Sequence, residues 1–221
     1  MKKRLFVSLI MAYFATFSVF AYFTPTAYYV VDGEMRETTD MIVDEQAPLE
    51  VTFKANPTDE PDDIVYEWRF SRNDESQPYV TRHEENTVFV FDESGRFTVS
   101  LFVHSSKDEG AEPVATITVS IADSFLEMPN AFSPNGDGIN DIYKAKANHK
   151  SIVEFHAYIF NRWGKKIFEW TDINSGWNGT FHGKQVNDGT YYVMVKARGA
   201  DGIVYNIKRD VNILRKYTEI E

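Results

Sequence analysis

The sequence predicts an all-β protein of two consecutive β-sandwich domains behind a secretory signal peptide. The chain opens with a basic and then an uncharged apolar segment, and continues as short alternating runs separated by turn clusters. Its charge balance also changes near residue 127. Short strands bounded by turn residues are typical of antiparallel sandwiches. Beyond the leader, no stretch combines helical periodicity with capping residues.

The first 21 residues have the order of a secretory signal peptide. Residues 2–4 are basic, and residues 5–23 carry no charge. Val19 and Ala21 form a small-residue cleavage site, and Ala27 is a second, weaker one. A single membrane anchor is the alternative, because the apolar run is about long enough to span a bilayer. Under either interpretation residues 28–221 leave the cytoplasm.

The composition excludes several classes of protein. The 221 residues are 43% hydrophobic and 15% aromatic, so the chain can bury a core. There is no cysteine, which excludes disulfides, thiolate zinc sites, iron–sulfur clusters and a cysteine nucleophile.

The charge is unevenly distributed along the chain. Residues 32–127 contain 23 acidic and seven basic residues, whereas residues 128–221 contain 10 acidic and 13 basic ones. The net charge of −10 predicts that nucleic acid is not a partner. The change near residue 127 predicts a domain boundary.

The first half reads as an acidic lead-in followed by one sandwich. We predict a lead-in over 22–40 and a domain over 41–123. Its strands are predicted from period-two alternation at 49–55, 64–70, 96–103 and 115–121. Trp68 is expected in its core.

The second half changes rhythm after a long turn-rich loop. We predict a second domain over 128–215 and a tail over 216–221. Its strands are expected at 152–160, 165–170, 190–198 and 203–214. Short connections at 161–164 and 200–202 predict hairpins. Trp163, Trp170 and Trp177 are all expected to pack in its core.

The first domain resembles the PKD-like family of immunoglobulin-like modules. The resemblance covers residues 40–122 and is carried by the segments 47–53, 66–68 and 91–101. The family's Gly-Asp-Gly turn is replaced here by Phe70-Ser71-Arg72-Asn73-Asp74. The resemblance implies an immunoglobulin-like sandwich that contacts proteins or surfaces.

The second domain resembles the gliding-motility-associated C-terminal domain, the type B sorting domain of the Bacteroidota type IX secretion system. Three hallmark segments occur in the family's order at 130–141, 159–168 and 177–193, followed by a last strand with a basic residue, Arg215. The resemblance implies export to the cell surface or the medium, with outer-membrane components of that system as partners. The signature residues are Asn130, Phe132, Ser133, Pro134, Asn135, Gly136, Asp137, Gly138, Asn140, Asp141, Asn161, Arg162, Trp163, Gly164, Trp177, Gly179, Gly189 and Tyr191.

The opening loop also resembles the first half of a calcium loop. Asn135, Asp137, Ile139 and Asp141 place candidate oxygen ligands at every second position. The twelfth position, however, is Lys144 in place of the bidentate glutamate. The alternative is a loop held by hydrogen bonds from Asn and Asp side chains to its own backbone. No other cofactor is predicted.

No motif indicates catalysis. The sequence lacks a nucleophile elbow, a phosphate-binding loop, a serine–lysine pair and a zinc-protease histidine pair. We therefore predict a non-enzymatic, exported surface protein whose partners include surface proteins or glycans. A carbohydrate-binding module is the alternative function, and a hydrolase with an unrecognised site is a third.

Overall fold

The computed structural model describes residues 23–58, 64–72, 75, 77–105 and 112–216. The predicted signal peptide and tail residues 217–221 lie outside this part. Within it, no helix is long and apolar enough to cross a membrane. The strands are β1 (Thr26–Val31), β2 (Glu34–Thr38), β3 (Met41–Glu45), β4 (Leu49–Lys54), β5 (Ile64–Arg72), β6 (Val80–Arg82), β7 (Asn86–Phe91), β8 (Gly95–Ser105), β9 (Ala115–Ile121), β10 (Ala131–Phe132), β11 (Ile152–Phe160), β12 (Lys166–Trp170), β13 (Thr180–Phe181), β14 (Lys184–Gln185), β15 (Gly189–Gly199) and β16 (Val204–Ile213).

The first domain is a sandwich of two sheets. One has the order β2-β1-β4-β7 and the other β3-β9-β8-β5-β6. Alternate side chains point between the sheets, so that Phe53, Trp68 and Phe70 are fully buried. The rings of Phe53 and Trp68 lie 5.7 Å apart. Trp68 therefore occupies the core as predicted.

The predicted lead-in is instead part of this sandwich. Strands β1 and β2 lie within 22–40, and β1 pairs with β4 in the interior of its sheet. Asp32 and Gly33 both have positive φ, which is the two-residue turn that joins twisted strands well. Ala27 is fully buried, so cleavage after it would cut β1. The acidic composition hid these strands, because β2 is an exposed edge strand that carries Glu34 and Glu37, and Asp32 lies in the turn before it.

The second domain is built on a five-stranded sheet of order β10-β16-β15-β11-β12. Its inner face is covered by the two-stranded sheet β13-β14 and by loops that contribute Met128, Tyr143 and Trp177, all nearly or fully buried. Trp170 and Trp177 are in this core, as predicted. The all-β fold of two consecutive immunoglobulin-like sandwiches is confirmed.

The linker between the domains lies along the edge of β16. Ser124 Oγ is 2.8 Å from the Tyr205 hydroxyl, and the Met128 carbonyl accepts a hydrogen bond from Arg209 at 2.6 Å. The Asn130 carbonyl then accepts one from the Asn212 N–H at 2.9 Å. These contacts hold the linker beside β16, and the backbone of that strand is paired at its C-terminal end by β10.

The domains meet at the hairpin between β15 and β16. Ala200, in this hairpin, packs against the core of the first domain, and its carbonyl accepts a hydrogen bond from the Ser94 N–H at 3.1 Å. Ser151, which is 1% exposed, accepts one from the Ala47 N–H at 3.2 Å. We call this contact region the junction.

Candidate functional site

The hallmark segments gather at the end of the second domain that lies opposite the junction. Strand β11 begins near the junction and ends at the turn 161–165, which leads into β12. Strand β15 runs the other way, from Gly189 toward the junction. A nine-residue strand is about 30 Å long. The hallmark turns are therefore separated from the first domain by the length of the sheet, and we call this region the distal end.

The opening loop is held by its own carboxylates. Asp141 accepts hydrogen bonds from the Gly136 and Gly138 N–H groups at 2.7 and 2.8 Å. Asn135 and Asp137 accept bonds from backbone N–H groups two residues further on. The bonds to Asp141 stabilise its ionised form and hold the pKa of that carboxyl below its usual value. The loop is thus ordered by hydrogen bonds of the kind expected from the alternative to calcium binding.

The calcium candidates point mainly at the loop's own donors. Asp137 also accepts a bond from the Asn135 amide at 2.8 Å. The fourth candidate, Ile139, offers only its carbonyl, which is 3.4 Å from Ser133 Oγ. Within the described residues, no group of three His, Asp or Glu side chains is arranged to hold a metal ion. Calcium binding stays a prediction.

The turn between β11 and β12 corrects one expectation. Trp163 was expected in the core but is 75% exposed. Asn161 Oδ1 accepts hydrogen bonds from the Trp163 and Lys165 N–H groups, each at 3.0 Å, and Gly164 takes a positive φ. This geometry directs residue 163 away from the sheet. The Arg162 guanidinium lies 4.3 Å from the centre of the indole ring.

The third hallmark supplies the core of the distal end. Trp177 is fully buried, and its indole N–H donates to the Thr180 carbonyl at 2.7 Å. Its ring lies 5.4 Å from Phe132 of the opening segment and 5.2 Å from Tyr191. Three signature aromatic residues from the first and third hallmark segments therefore pack together.

Arg215 holds together the loops of the third hallmark segment. Its guanidinium donates to the Val186 carbonyl at 2.8 Å, to the Gly179 carbonyl at 3.1 Å and to the Asp188 carboxylate. A side chain added at Gly179 would come within 3.0 Å of Pro134, so the opening segment is packed here too. The sequence pointed to a basic residue near the last strand, but its role could not be inferred, because its acceptors are mainly backbone carbonyls.

A groove lies beside Trp163 at the distal end. It has a volume of about 430 Å³ and lies between the turn 161–163 and residues 187–192. Tyr192, on its wall, is 48% exposed, whereas the Tyr191 hydroxyl donates to the Asn187 carbonyl at 2.9 Å. Sequence reasoning missed Tyr192, although its alternation with buried Val193 already places it on the outer face.

The structure therefore brings most of the signature residues to one end of one domain, and divides them by role. Phe132, Trp177 and Tyr191 contribute to packing, and the glycines shape turns. Arg162 and Trp163 instead project into solvent. This arrangement defines an all-β protein of two sandwiches that exposes signature side chains at the distal end of its second sandwich.

Most of the second domain is similar to a known protein family. Residues 126–206 match the model of the CHU_C type IX secretion signal domain. This part of the second domain is therefore similar to a type IX secretion signal domain, in agreement with the predicted sorting signal. A secretion signal is a non-catalytic type of domain. No curated protein matches the chain.

Solved structures with similar features are tandem β-domains of low identity. The FN1–FN3 domains of chicken CNTN1 are 12% identical, with 81% of this chain and 71% of that chain covered and a TM-score of 0.28. A tetra-tandem repeat from the extending region of a large adhesion protein is 13% identical, with coverage of 87% and 57% and a TM-score of 0.30.

Proposed function

We propose that the chain is a non-enzymatic surface protein whose second domain directs its export through the type IX secretion system, and whose first domain is a PKD-like module for contact with proteins or surfaces. The observation that carries the export part is the gathering of the hallmark segments at the distal end, in the region matched by the secretion-signal family. A sorting domain must be accessible while it is attached to the rest of the protein. The distal end meets this condition because it lies away from the first domain.

The first domain supports an interaction role through its outer face. Val30 pairs with Met35 across β1 and β2, and the two side chains are 53% and 72% exposed. Val88 and Val90 on β7 lie on the same face of the sheet and are also exposed. The polar residues Glu50 and Thr52 of β4 lie between these two apolar pairs, and a surface of mixed apolar and polar side chains is typical of protein contact surfaces.

The ring geometry weighs against the carbohydrate-binding alternative. On the outer face of the five-stranded sheet of the second domain, the ring centres of His156 and Tyr158 lie 4.3 Å apart. Their planes make an angle of 23°, so the two rings cover each other. Lys166 lies 5.5 Å from the Tyr158 ring. One face of the Trp163 ring is likewise occupied by Arg162. A sugar platform needs open ring faces side by side, an arrangement that these aromatic side chains do not form.

Removal of residues 128–221 in the native host tests the export role. We expect the full chain at the cell surface or in the medium and the truncated chain in the periplasm, as measured by fractionation and surface proteolysis. A matched control is a full-length chain carrying Lys208→Glu, because Lys208 is exposed and lies outside the hallmark segments. The export role is wrong if the truncated chain reaches the surface as efficiently as the full chain.

The contact role needs a separate test. A full chain carrying Met35→Glu and Val88→Glu should keep its thermal midpoint and its export but lose binding to whole host cells that lack the native gene. Val204→Glu is the control, because Val204 is 64% exposed but lies on the second domain. Undiminished binding by the double variant would contradict a contact role for this face.

A further inference from the structure

We infer that the turn 161–165, called here the tryptophan turn, and the groove beside it form the surface by which the second domain is recognised, and that the partner is a protein with an acidic rim around a pocket for the indole. This inference rests on the export role proposed above and identifies the part of the domain that is read. Four observations carry it.

The first observation is the exposure of Trp163. Among large hydrophobic side chains in the described residues, it is the most exposed, at 75%. The other three tryptophans, Trp68, Trp170 and Trp177, are 6% exposed or less. An indole buries a large apolar area at a small loss of side-chain freedom, which is why tryptophan is enriched at the centres of protein interfaces.

The second observation is that the turn is rigid without the indole. Besides the two bonds to its side chain, Asn161 accepts a hydrogen bond at its carbonyl from the Gly164 N–H and donates one to the Lys165 carbonyl, both at 3.0 Å. None of these bonds uses the Trp163 side chain. The turn therefore fixes the backbone from which the indole projects before any partner arrives, and such preorganisation lowers the cost of binding.

The third observation is the charge around the indole. Arg162, Lys165 and Lys166 lie within the turn or immediately after it. Lys166 pairs with Glu169, whereas Arg162 and Lys165 lie against the rings of Trp163 and Phe181 and form no salt bridge with another described residue. The turn thus presents a positive field to a partner, and acidic groups opposite it complete the match.

The fourth observation is the shape of the neighbouring groove. Its walls include the polar residues Asn187 and Thr190 and the exposed ring of Tyr192. Asp188, also on the wall, is paired with Arg215. A concave surface with fixed hydrogen-bonding groups selects a partner of complementary shape, and a folded protein has such a defined shape. A lipid surface would use only the indole and the cations, so a protein partner accounts for more of what the turn displays.

Export of point variants tests the inference in the native host. In the full chain, Arg162→Glu combined with Trp163→Ala should lower the exported fraction at least about tenfold, as expected for loss of a central tryptophan contact. Lys208→Glu, on the outer face of the same sheet, is the charge-matched control and should export normally. Thermal melting and circular dichroism of the purified variants should match the unaltered chain, because neither side chain is buried.

The outcomes separate this inference from the export role. If the double variant exports normally while the chain lacking residues 128–221 does not, the export role stands and the tryptophan turn is not the surface that is read. If the truncated chain also exports, both conclusions are wrong. Reduced export of the double variant with normal export of the Lys208 variant supports both.

A site-specific crosslink identifies the class of partner. With a benzophenone amino acid in place of Trp163, we expect a protein adduct during export, and none with the same group in place of Lys208. Co-sedimentation of the purified full chain with phosphatidylglycerol vesicles supplies the second arm. Trp163-dependent vesicle binding without a protein adduct would overturn the inference in favour of a lipid contact, and equal adducts from both positions would overturn it as well.

Discussion

The two ends of the second domain use similar turns for opposite purposes. At the junction, the turn 200–203 buries Ala200 against the neighbouring sandwich and gives its carbonyl to the Ser94 N–H. At the distal end, the tryptophan turn is also held by hydrogen bonds but leaves its largest side chain in solvent. Local order thus does not reveal whether a turn serves packing or recognition. The exposure of its side chains does.

The sharpest test of this comparison uses two signature tryptophans at the same end of the domain. Trp177→Ala removes a fully buried ring and should lower the free energy of unfolding by about 3–5 kcal/mol. Trp163→Ala should change it by no more than about 0.5 kcal/mol. Urea unfolding of both full-length variants provides the measurement. Similar losses for the two would mean that Trp163 is also a packing residue.

The next largest effect on the free energy of unfolding is expected at Arg215, whose hydrogen bonds hold together the loops of the distal end. Arg215→Ala removes hydrogen bonds to two carbonyls and a carboxylate, which should cost about 2 kcal/mol of unfolding free energy. Arg215→Lys keeps the charge but cannot reach all three acceptors, so it should recover only part of that loss. Full recovery by lysine, again in urea unfolding, would show that charge alone matters here.

A smaller effect is expected at the junction. Ser124 donates to Asp201 at 2.7 Å through its hydroxyl and at 2.9 Å through its N–H. Ser124→Ala should weaken the coupling of the domains by about 1 kcal/mol. In calorimetry, the unfolding transitions of the two domains should therefore move apart, whereas Ser100→Ala, within the first domain, should leave their separation unchanged.

Acid should act on the junction in the same direction. Burial raises the pKa of Asp201, but hydrogen bonds from Ser124 and from the Ile203 N–H outweigh this and leave the pKa below its usual value. The resulting stabilisation is therefore complete above the usual aspartate pKa and is lost as the pH falls through the lowered one. The two calorimetric transitions should separate further in that acidic range, and Asp201→Asn should remove the pH dependence of their separation.

The smallest effect on global stability should come from the opening loop. Asp141→Asn leaves only one oxygen for two N–H donors, so the amides of Gly136 and Gly138 should exchange hydrogen faster. Because the pKa of Asp141 is lowered, the same protection in the unaltered chain should fade only below the usual aspartate pKa. Exchange measured by mass spectrometry on loop peptides, with Asp210→Asn as control, distinguishes these effects.

The same exchange experiment decides between the two interpretations of the opening loop. If its oxygens serve the loop itself, calcium and a chelator should leave the exchange of residues 135–141 unchanged. Slower exchange with calcium, lost in Asp141→Asn, would instead assign the loop as a cation site. A rise in thermal midpoint with calcium would support the same conclusion.

Much of the fold followed from local pattern. Strands such as β9 and β11 were predicted at their observed bounds, because strict alternation over seven to nine residues specifies which face is buried. Eight strands were missed, namely β1, β2, β3, β6, β7, β10, β13 and β14. The first two carry or adjoin many acids, and their placement depends on pairing with β4, a long-range contact that no local pattern records.

The sequence predicted which residues belong to the candidate site, but it did not predict which of them pack in the core and which are exposed. The positions of the hallmark segments in the sequence located the distal end, but Trp163, Trp170 and Trp177 looked alike as tryptophans beside turns. Only Trp163 follows an Asn161 whose side chain bonds the backbone ahead of it and directs the ring outward. The acceptors of Arg215, which are mostly backbone carbonyls, leave no trace in side-chain identity.

The position of β16 in the fold has a consequence for synthesis. This strand pairs with β15 over its length, holds β10 at its end and is followed two residues later by Arg215, which bonds the loops of the third hallmark segment. A nascent polypeptide that stops before this strand has every earlier hallmark in its sequence but lacks the scaffold that assembles them. We expect that a chain lacking β16 would not assemble the distal end and would therefore not be recognised for export.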